Sequence, residues 1–199
     1  MTADNSGSMY SPISKNSTVY RSDIANLLQS IAHRISDKTL TSVFGDSFAL
    51  VPVKKDKGIL YNMEVFKDTK VGWSTNAYLA IAYILHNNLF FDRILLFSDM
   101  ETYDSYGYIH GVREYLKEYR KRINPEVKFY SFNLAGYGHL TVPEKETYLI
   151  SGWSEKVLNF IEINEKKGKE AIKEVEAYKP FKSKRRKKRK TITQSEITS

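Results

Sequence analysis

Arg93-Ile94-Leu95-Leu96-Phe97-Ser98-Asp99 is the stretch that decides the fold. Its apolar residues run without alternation and stop at a carboxylate, the pattern of a short strand buried on both faces of a sheet. Asn76–His86 (NAYLAIAYILH) precedes it and His110–Ile123 (HGVREYLKEYRKRI) follows it, both helical in period and propensity. Val127–Phe132 (VKFYSF) reads as the next strand and Trp153–Ile163 (WSEKVLNFIEI) as the next helix. Upstream, Phe48–Val53 (FALVPV) has the same buried-strand character. Ile24, Leu27, Leu28, Ile31 and Ile35 place an amphipathic helix over Asp23–Ile35, with Ser22 or Asp23 placed to cap it. Strands alternating with helices predict an α/β fold, a doubly wound and mostly parallel sheet flanked by helices.

The chain has 199 residues and no cysteine, which excludes disulfides, thiolate metal sites and a cysteine nucleophile. No run of about 18 apolar residues suggests a membrane span, and Met1–Ser8 lacks the order of a signal peptide. The expectation is a cytoplasmic protein, or a nuclear one in a nucleated host, with no membrane partner. The formal charge of +8 is local: Lys182–Lys190 (KSKRRKKRK) holds eight of the 31 basic residues, leaving 23 against 23 acidic ones. The segment at 1–165 reads as the domain, 166–180 as a charged helical extension, and 181–199 as a disordered basic tail. In that tail Lys182, Lys184, Arg185, Arg186, Lys187, Lys188, Arg189 and Lys190 are candidates for nucleic-acid backbone contact, equally readable as an import signal or a solvated tail.

Asp4-Asn5-Ser6-Gly7-Ser8 sets a carboxylate and two hydroxyls at alternate positions beside a glycine. Alone it reads equally as a polar turn or as hard oxygen donors suited to Mg²⁺ or Mn²⁺. Two further segments add weight to the second reading. Gly72-Trp73-Ser74-Thr75 stands just before a predicted helix, and Ser98-Asp99 ends a predicted strand. In a parallel sheet such loops gather on one edge, where open α/β sheets bind ligands.

This D-x-S-x-S, loop Thr and post-strand Asp pattern resembles the metal-ion-dependent adhesion site of von Willebrand factor type A domains. The resemblance implies that Ser6, Ser8 and Thr75 bind the cation directly, that Asp4 and Asp99 hold it largely through water, and that an outside acidic group completes the shell. Downstream, Phe97-Ser98-Asp99-Met100-Glu101-Thr102-Tyr103, then His110 and Arg113-Glu114-Tyr115, Glu118-Tyr119-Arg120-Lys121-Arg122-Ile123-Asn124-Pro125, and Leu149-Ile150-Ser151-Gly152-Trp153 resemble the A domain of Ro ribonucleoproteins, the TROVE family. The resemblance covers about Thr2 to Ile163. It implies a non-enzymatic, cation-dependent binding module of a small-RNA ribonucleoprotein. The family's RNA-holding ring of helical repeats has no counterpart in these residues, so RNA contact is expected through a missing N-terminal ring or the basic tail. The alternative is an intracellular A domain that binds an acidic protein group without RNA. Only Met1, Thr2 and Ala3 precede Asp4, so the first central strand is expected to be largely missing and the chain to be a fragment.

Other chemistries find less support. A hydrolase would need Ser6 or Ser8 beside His110 or His139, without a G-x-S-x-G elbow. Four His without H-E-x-x-H spacing offer little to zinc, and no phosphate-binding loop motif is present. Glu101 and Asp104 read as residues flanking the metal loop. Tyr103, Tyr106, Tyr108 and Tyr10, from loops that also hold Met9, are candidate stacking rings or a self-packed loop. Lys117, Arg120, Lys121 and Arg122 read as a charged solvent face.

Overall fold

Arg93–Ser98 forms strand β4, with every residue but Arg93 buried, as its unbroken apolar run requires. The computed structural model describes residues 1–99, 108–136, 145–154 and 156–167, with the side chains of 108–110 and 166–167 excepted. The other strands are β1 (Thr2–Asp4), β2 (Ser42–Phe44), β3 (Phe48–Leu50), β5 (Lys128–Asn133) and β6 (Thr147–Ser151). The helices are α1 (Arg21–Ile35), α2 (Ile59–Asp68), α3 (Tyr78–His86), α4 (Tyr108–Arg122) and α5 (Val157–Lys167), with a 3-10 turn at Gly7–Tyr10. The six strands lie in the order β3-β2-β1-β4-β5-β6. All pairings are parallel except β2 with β3. The chain divides into two units, Met1–Leu158 and Asn159–Ser199, and the sheet belongs to the first.

Side chains alternate across the sheet. Ile94 and Leu96 of β4 join Phe44, Phe129, Ile81, Ile84, Val112 and Leu116 in one apolar cluster under α3 and α4. Phe97 on the opposite face stacks on Phe132 of β5 with ring centroids 4.7 Å apart, and α1 lies against β1 and β4. Burying the rings of Phe44, Phe97, Phe129 and Phe132 contributes roughly 1.5–3 kcal/mol each. Tyr119 is also fully buried; its hydroxyl donates to Leu89 O at 2.8 Å and accepts from Phe91 N at 2.9 Å, so its polar end is satisfied.

Several expectations change in detail. The first strand is a three-residue stub, yet it is wholly buried and pairs on both sides, with β2 and with β4. Phe48–Val53 is not a strand buried on both faces: only Phe48–Leu50 is extended, it runs antiparallel at the sheet edge, and Leu50 is exposed. The reason is the short Gly45-Asp46-Ser47 reversal after β2, which leaves no room for a crossover helix. Neither Ser22 nor Asp23 is the N-cap of α1. Tyr20 holds that position, and its N–H donates to Asp23 Oδ2 at 2.8 Å from the third helical residue. Strand β2 and helix α2 are additional to the sequence reading. Arg120 is not part of a free charged face: it donates to Glu146 O at 3.0 Å and to Thr147 Oγ1 at 3.2 Å, tying α4 to the start of β6. Among the described residues no helix is long and apolar enough to cross a membrane. The extension after Lys167 and the basic tail lie outside the described residues.

Candidate metal centre

The chain leaves β1 toward β2 on one side and later returns to β4 on the other. The C-terminal ends of β1 and β4 therefore meet at the topological switch point, the place where open α/β sheets bind ligands. Asp4 is the last residue of β1, and Asp99 directly follows β4. Both carboxylates are fully buried.

Local geometry sorts the D-x-S-x-S segment by alternation. Asn5 turns toward the helices, where its Nδ2 donates to Phe66 O at 2.8 Å and its Oδ1 accepts from Asn26 Nδ2 at 3.0 Å. Asp4, Ser6 and Ser8 meet on the site side instead. Ser6 N–H donates to Asp4 Oδ1 at 2.9 Å, and Ser98 Oγ donates to Asp4 Oδ2 at 2.6 Å. Thr75 Oγ1 donates to Ser6 Oγ at 2.8 Å, and Ser6 Oγ lies 3.4 Å from Ser8 Oγ. Ser8 Oγ then donates to Asp99 Oδ1 at 3.3 Å. All five residues singled out from the sequence, Asp4, Ser6, Ser8, Thr75 and Asp99, thus share one hydrogen-bonded cluster.

The loop that brings Thr75 in is pinned from both sides. Gly7 N–H donates to Trp73 O at 2.8 Å, and a Cβ on Gly7 would lie 2.8 Å from Trp73 Cε3, so any side chain there must displace the Trp73 ring. Gly72 has φ +88, and a Cβ on it would collide with the Asp46 carboxylate. Asp46 Oδ2 accepts from Trp73 N–H at 2.8 Å and Oδ1 from Ser74 N–H at 3.0 Å. Hydrogen bonds from Ser74, side chain first and then backbone, with that of Trp73 N–H, hold the Asp46 carboxyl below its usual range.

Asp4 is pushed the other way, from 3.8 up to about 7, chiefly because burial penalises its charged form, with the Asp99 charge adding to the rise against its hydrogen bonds. Among the described residues Asp4 forms no ion pair. Asp99 has one that sequence reading did not find: Arg21, the first residue of α1, places Nη1 3.0 Å from Asp99 Oδ2. The two lie 78 positions apart, and no motif links them. Ser98, the donor to Asp4, was legible only as the neighbour of Asp99.

The donor set suits a hard cation. In an octahedron with ligands at about 2.1 Å, neighbouring oxygens stand about 3.0 Å apart, and the separations of 2.8 Å and 3.4 Å around Ser6 Oγ bracket that spacing. Among the described residues no three His, Cys, Asp or Glu side chains gather as a metal site; three of the five donors here are hydroxyls, a composition that favours Mg²⁺ or Mn²⁺ over zinc. His33 Nδ1 meets Thr39 Oγ1 at 2.6 Å and His86 Nδ1 meets Ala82 O at 2.7 Å, away from the cluster. The side chains of Tyr108 and His110, and residues Glu101, Tyr103, Asp104, Tyr106 and His139, lie outside what is described. Beside the cluster, Tyr10, Tyr20 and Trp73 are exposed, Trp73 to 76%, with Tyr10 6.1 Å from Trp73 and 6.3 Å from Tyr20 between centroids.

A mostly parallel sheet of this order, with these loops at its switch point, has the architecture of the von Willebrand type A class. More narrowly, residues 1–162 match the family described as the Ro60 vWA domain, and the chain belongs to that family. Among solved structures it is similar to the RO (RSR) protein of Deinococcus radiodurans, with a TM-score of 0.61 at 16% identity over 81% of this chain and 32% of that one. The chain therefore spans about a third of that protein's length, and the likeness is one of fold. An uncharacterized membrane spanning protein from Vibrio fischeri aligns with a TM-score of only 0.32 at 18% identity, over 83% of this chain and 95% of that one. No curated protein matches the chain.

Proposed function

We propose that this domain is a non-enzymatic, divalent-cation-dependent binding module of a Ro-like small-RNA ribonucleoprotein. The observation that carries the reading is the convergence of Asp4, Ser6, Ser8, Thr75 and Asp99 at the switch point of the sheet. Ser6, Ser8 and Thr75 would offer hydroxyl oxygens directly to Mg²⁺ or Mn²⁺, and Asp4 and Asp99 would hold it largely through water. A bound cation supplies a Lewis-acidic position that accepts an anionic oxygen. The chain's own part is to hold the five side chains in place through Ser98, Asn5 and the Asp46-pinned loop.

The partner's acidic group would reach the cation past Tyr10, Tyr20 and Trp73, whose exposed rings suit a protein surface or an unpaired base alike. Small noncoding RNA is the family-level partner, reached through a ring outside this chain or through Lys182–Lys190. The two variants separate simply: binding that EDTA abolishes and RNase leaves intact is protein contact, and salt-sensitive retention of RNA is the other. The first test is the melting temperature with Mg²⁺, with Mn²⁺ and with EDTA, beside Asp4→Ala. A cation-dependent rise that the variant loses is expected; an equal response in both would refute the site.

A further inference from the structure

We propose that the end of the domain opposite the candidate metal centre is a second docking surface, suited to an acidic protein segment that carries apolar side chains beside its carboxylates. Helices α1 and α2 run antiparallel. Lys67 Nζ lies 2.7 Å from Asp23 Oδ1 at one end of the pair, and Arg34 Nη1 donates to Lys55 O at 2.7 Å at the other. Lys55 Nζ donates in return to Ser36 O and, at 2.9 Å, to Asp37 O, where α1 stops. These bonds hold the 54–57 loop against the end of α1, and they bring Ile35 to the same end as Leu60 and Tyr61 in the first turn of α2. The three are exposed to 68%, 67% and 58%. Large apolar side chains gathered at one end of a helix pair mark an interaction surface, which singly scattered ones do not.

The charge around them identifies what covers them. In these segments Arg34, Lys38, Lys54, Lys55 and Lys57 stand against two acids, Asp37 and Asp56, an excess of three positive charges, and all of them are exposed. Arg34 and Lys55 give their hydrogens to carbonyl oxygens, which carry no neutralising charge. Among the described residues none of the five basic side chains forms an ion pair. Lys57 Nζ lies 5.8 Å from the centroid of the Tyr61 ring, so charge and apolar surface are presented together. A continuous phosphate backbone fits less well, because Asp37 and Asp56 interrupt the basic run and Ile35 and Leu60 offer no flat ring to a base. Carboxylates interleaved with Leu-like side chains match both parts of the surface. Helix α1 has 15 residues, a length of about 22 Å, and Arg21 at its start already meets Asp99. The surface therefore lies a helix length from the switch point and needs no cation, so the domain can hold two partners at once.

The test is fluorescence anisotropy of a labelled Glu-Glu-Leu-Leu repeat peptide with the full chain, in Mg²⁺ and in EDTA, beside a Glu-Glu-Ser-Ser repeat of equal charge. The serine peptide measures what the basic tail attracts by charge alone. The leucine peptide is expected to bind roughly tenfold tighter than the serine peptide, equally in Mg²⁺ and in EDTA. Leu60→Ser should remove most of that margin, as should Ile35→Ser, and substitutions this exposed keep the wild-type melting temperature. Lys54→Glu with Lys57→Glu should weaken the leucine peptide roughly tenfold. The same charge change at Lys117 and Lys121, exposed on α4, should leave most of the affinity in place. Equal affinity for the two peptides, or a margin that survives Leu60→Ser combined with Ile35→Ser, would overturn the proposal. Tighter binding of oligouridylate or of phosphatidylserine vesicles, lost on reversing Lys54 and Lys57, would overturn it in favour of RNA or lipid. Loss of the leucine-peptide margin in EDTA would move the contact to the metal centre. A missing Mg²⁺ melting shift beside an intact peptide margin would refute the metal reading and uphold this surface.

Discussion

Replacing Asp4 by Asn should stabilise the cation-free domain at alkaline pH, although it removes a site residue. The buried carboxyl titrates at about 7 in place of 3.8, so the native state binds more protons than the unfolded chain between those values. Stability is therefore full below pH 3.8, falls as the pH rises to about 7, and is flat beyond. At about 1.4 kcal/mol per pKa unit, keeping the ionised carboxylate buried at pH 8 costs the fold about 4 kcal/mol. Asparagine keeps the oxygen that accepts Ser6 N–H and disturbs the bond from Ser98, a loss of about 1 kcal/mol. The remaining gain of about 3 kcal/mol raises the melting temperature by roughly 6–12 °C for a chain of this size. The assay is thermal unfolding in EDTA from pH 5 to pH 8. Saturating Mg²⁺ should shrink the difference, because wild type alone gains about 2.7 kcal/mol at a hundredfold excess over Kd. A wild-type stability that does not fall between pH 5 and 8, together with a destabilised Asp4→Asn, would refute the account of a burial-penalised carboxylate.

Three other substitutions probe separate links. Gly7→Ala drives a methyl to within 2.8 Å of the Trp73 ring and should cost about 1–3 kcal/mol by urea denaturation, with the Mg²⁺ response weakened as the Thr75 loop shifts. His33 is buried with Nε2 unpartnered among the described residues, and burial first, then Lys55, lowers its pKa from 6.5. The unfolded chain then binds the extra proton, so stability is complete above 6.5 and is lost as pH falls below it; His33→Gln should flatten that slope in pH-dependent unfolding. Deleting Lys182–Lys190 removes eight positive charges and should flatten the salt dependence of any RNA retention in a filter-binding assay, leaving the Mg²⁺ melting shift unchanged.

The strand-helix alternation was legible because burial on both faces removes polar residues from a central strand, as in Ile94–Phe97, and because α1 and α4 keep one apolar stripe per turn. The short elements were not. Thr2–Asp4 and Ser42–Phe44 are three residues each, too brief for a period, and they become strands only because neighbours on both sides pair with them. Phe48–Leu50 has the composition of an inner strand, but the reversal before it sends it antiparallel to the edge.

The sequence singled out five side chains as candidates for a hard-cation site only through the resemblance to A domains, since Asp4–Ser8 alone reads equally as a polar turn. Tertiary structure alone decided how that site is charged. Asp4 acquires its raised pKa from burial beside Asp99, and Arg21 meets Asp99 across 78 positions of chain because α1 begins at the edge where β4 ends. Proximity between residues so far apart follows from packing of the sheet and helix, and charge interactions depend on that distance and on the solvent excluded around it.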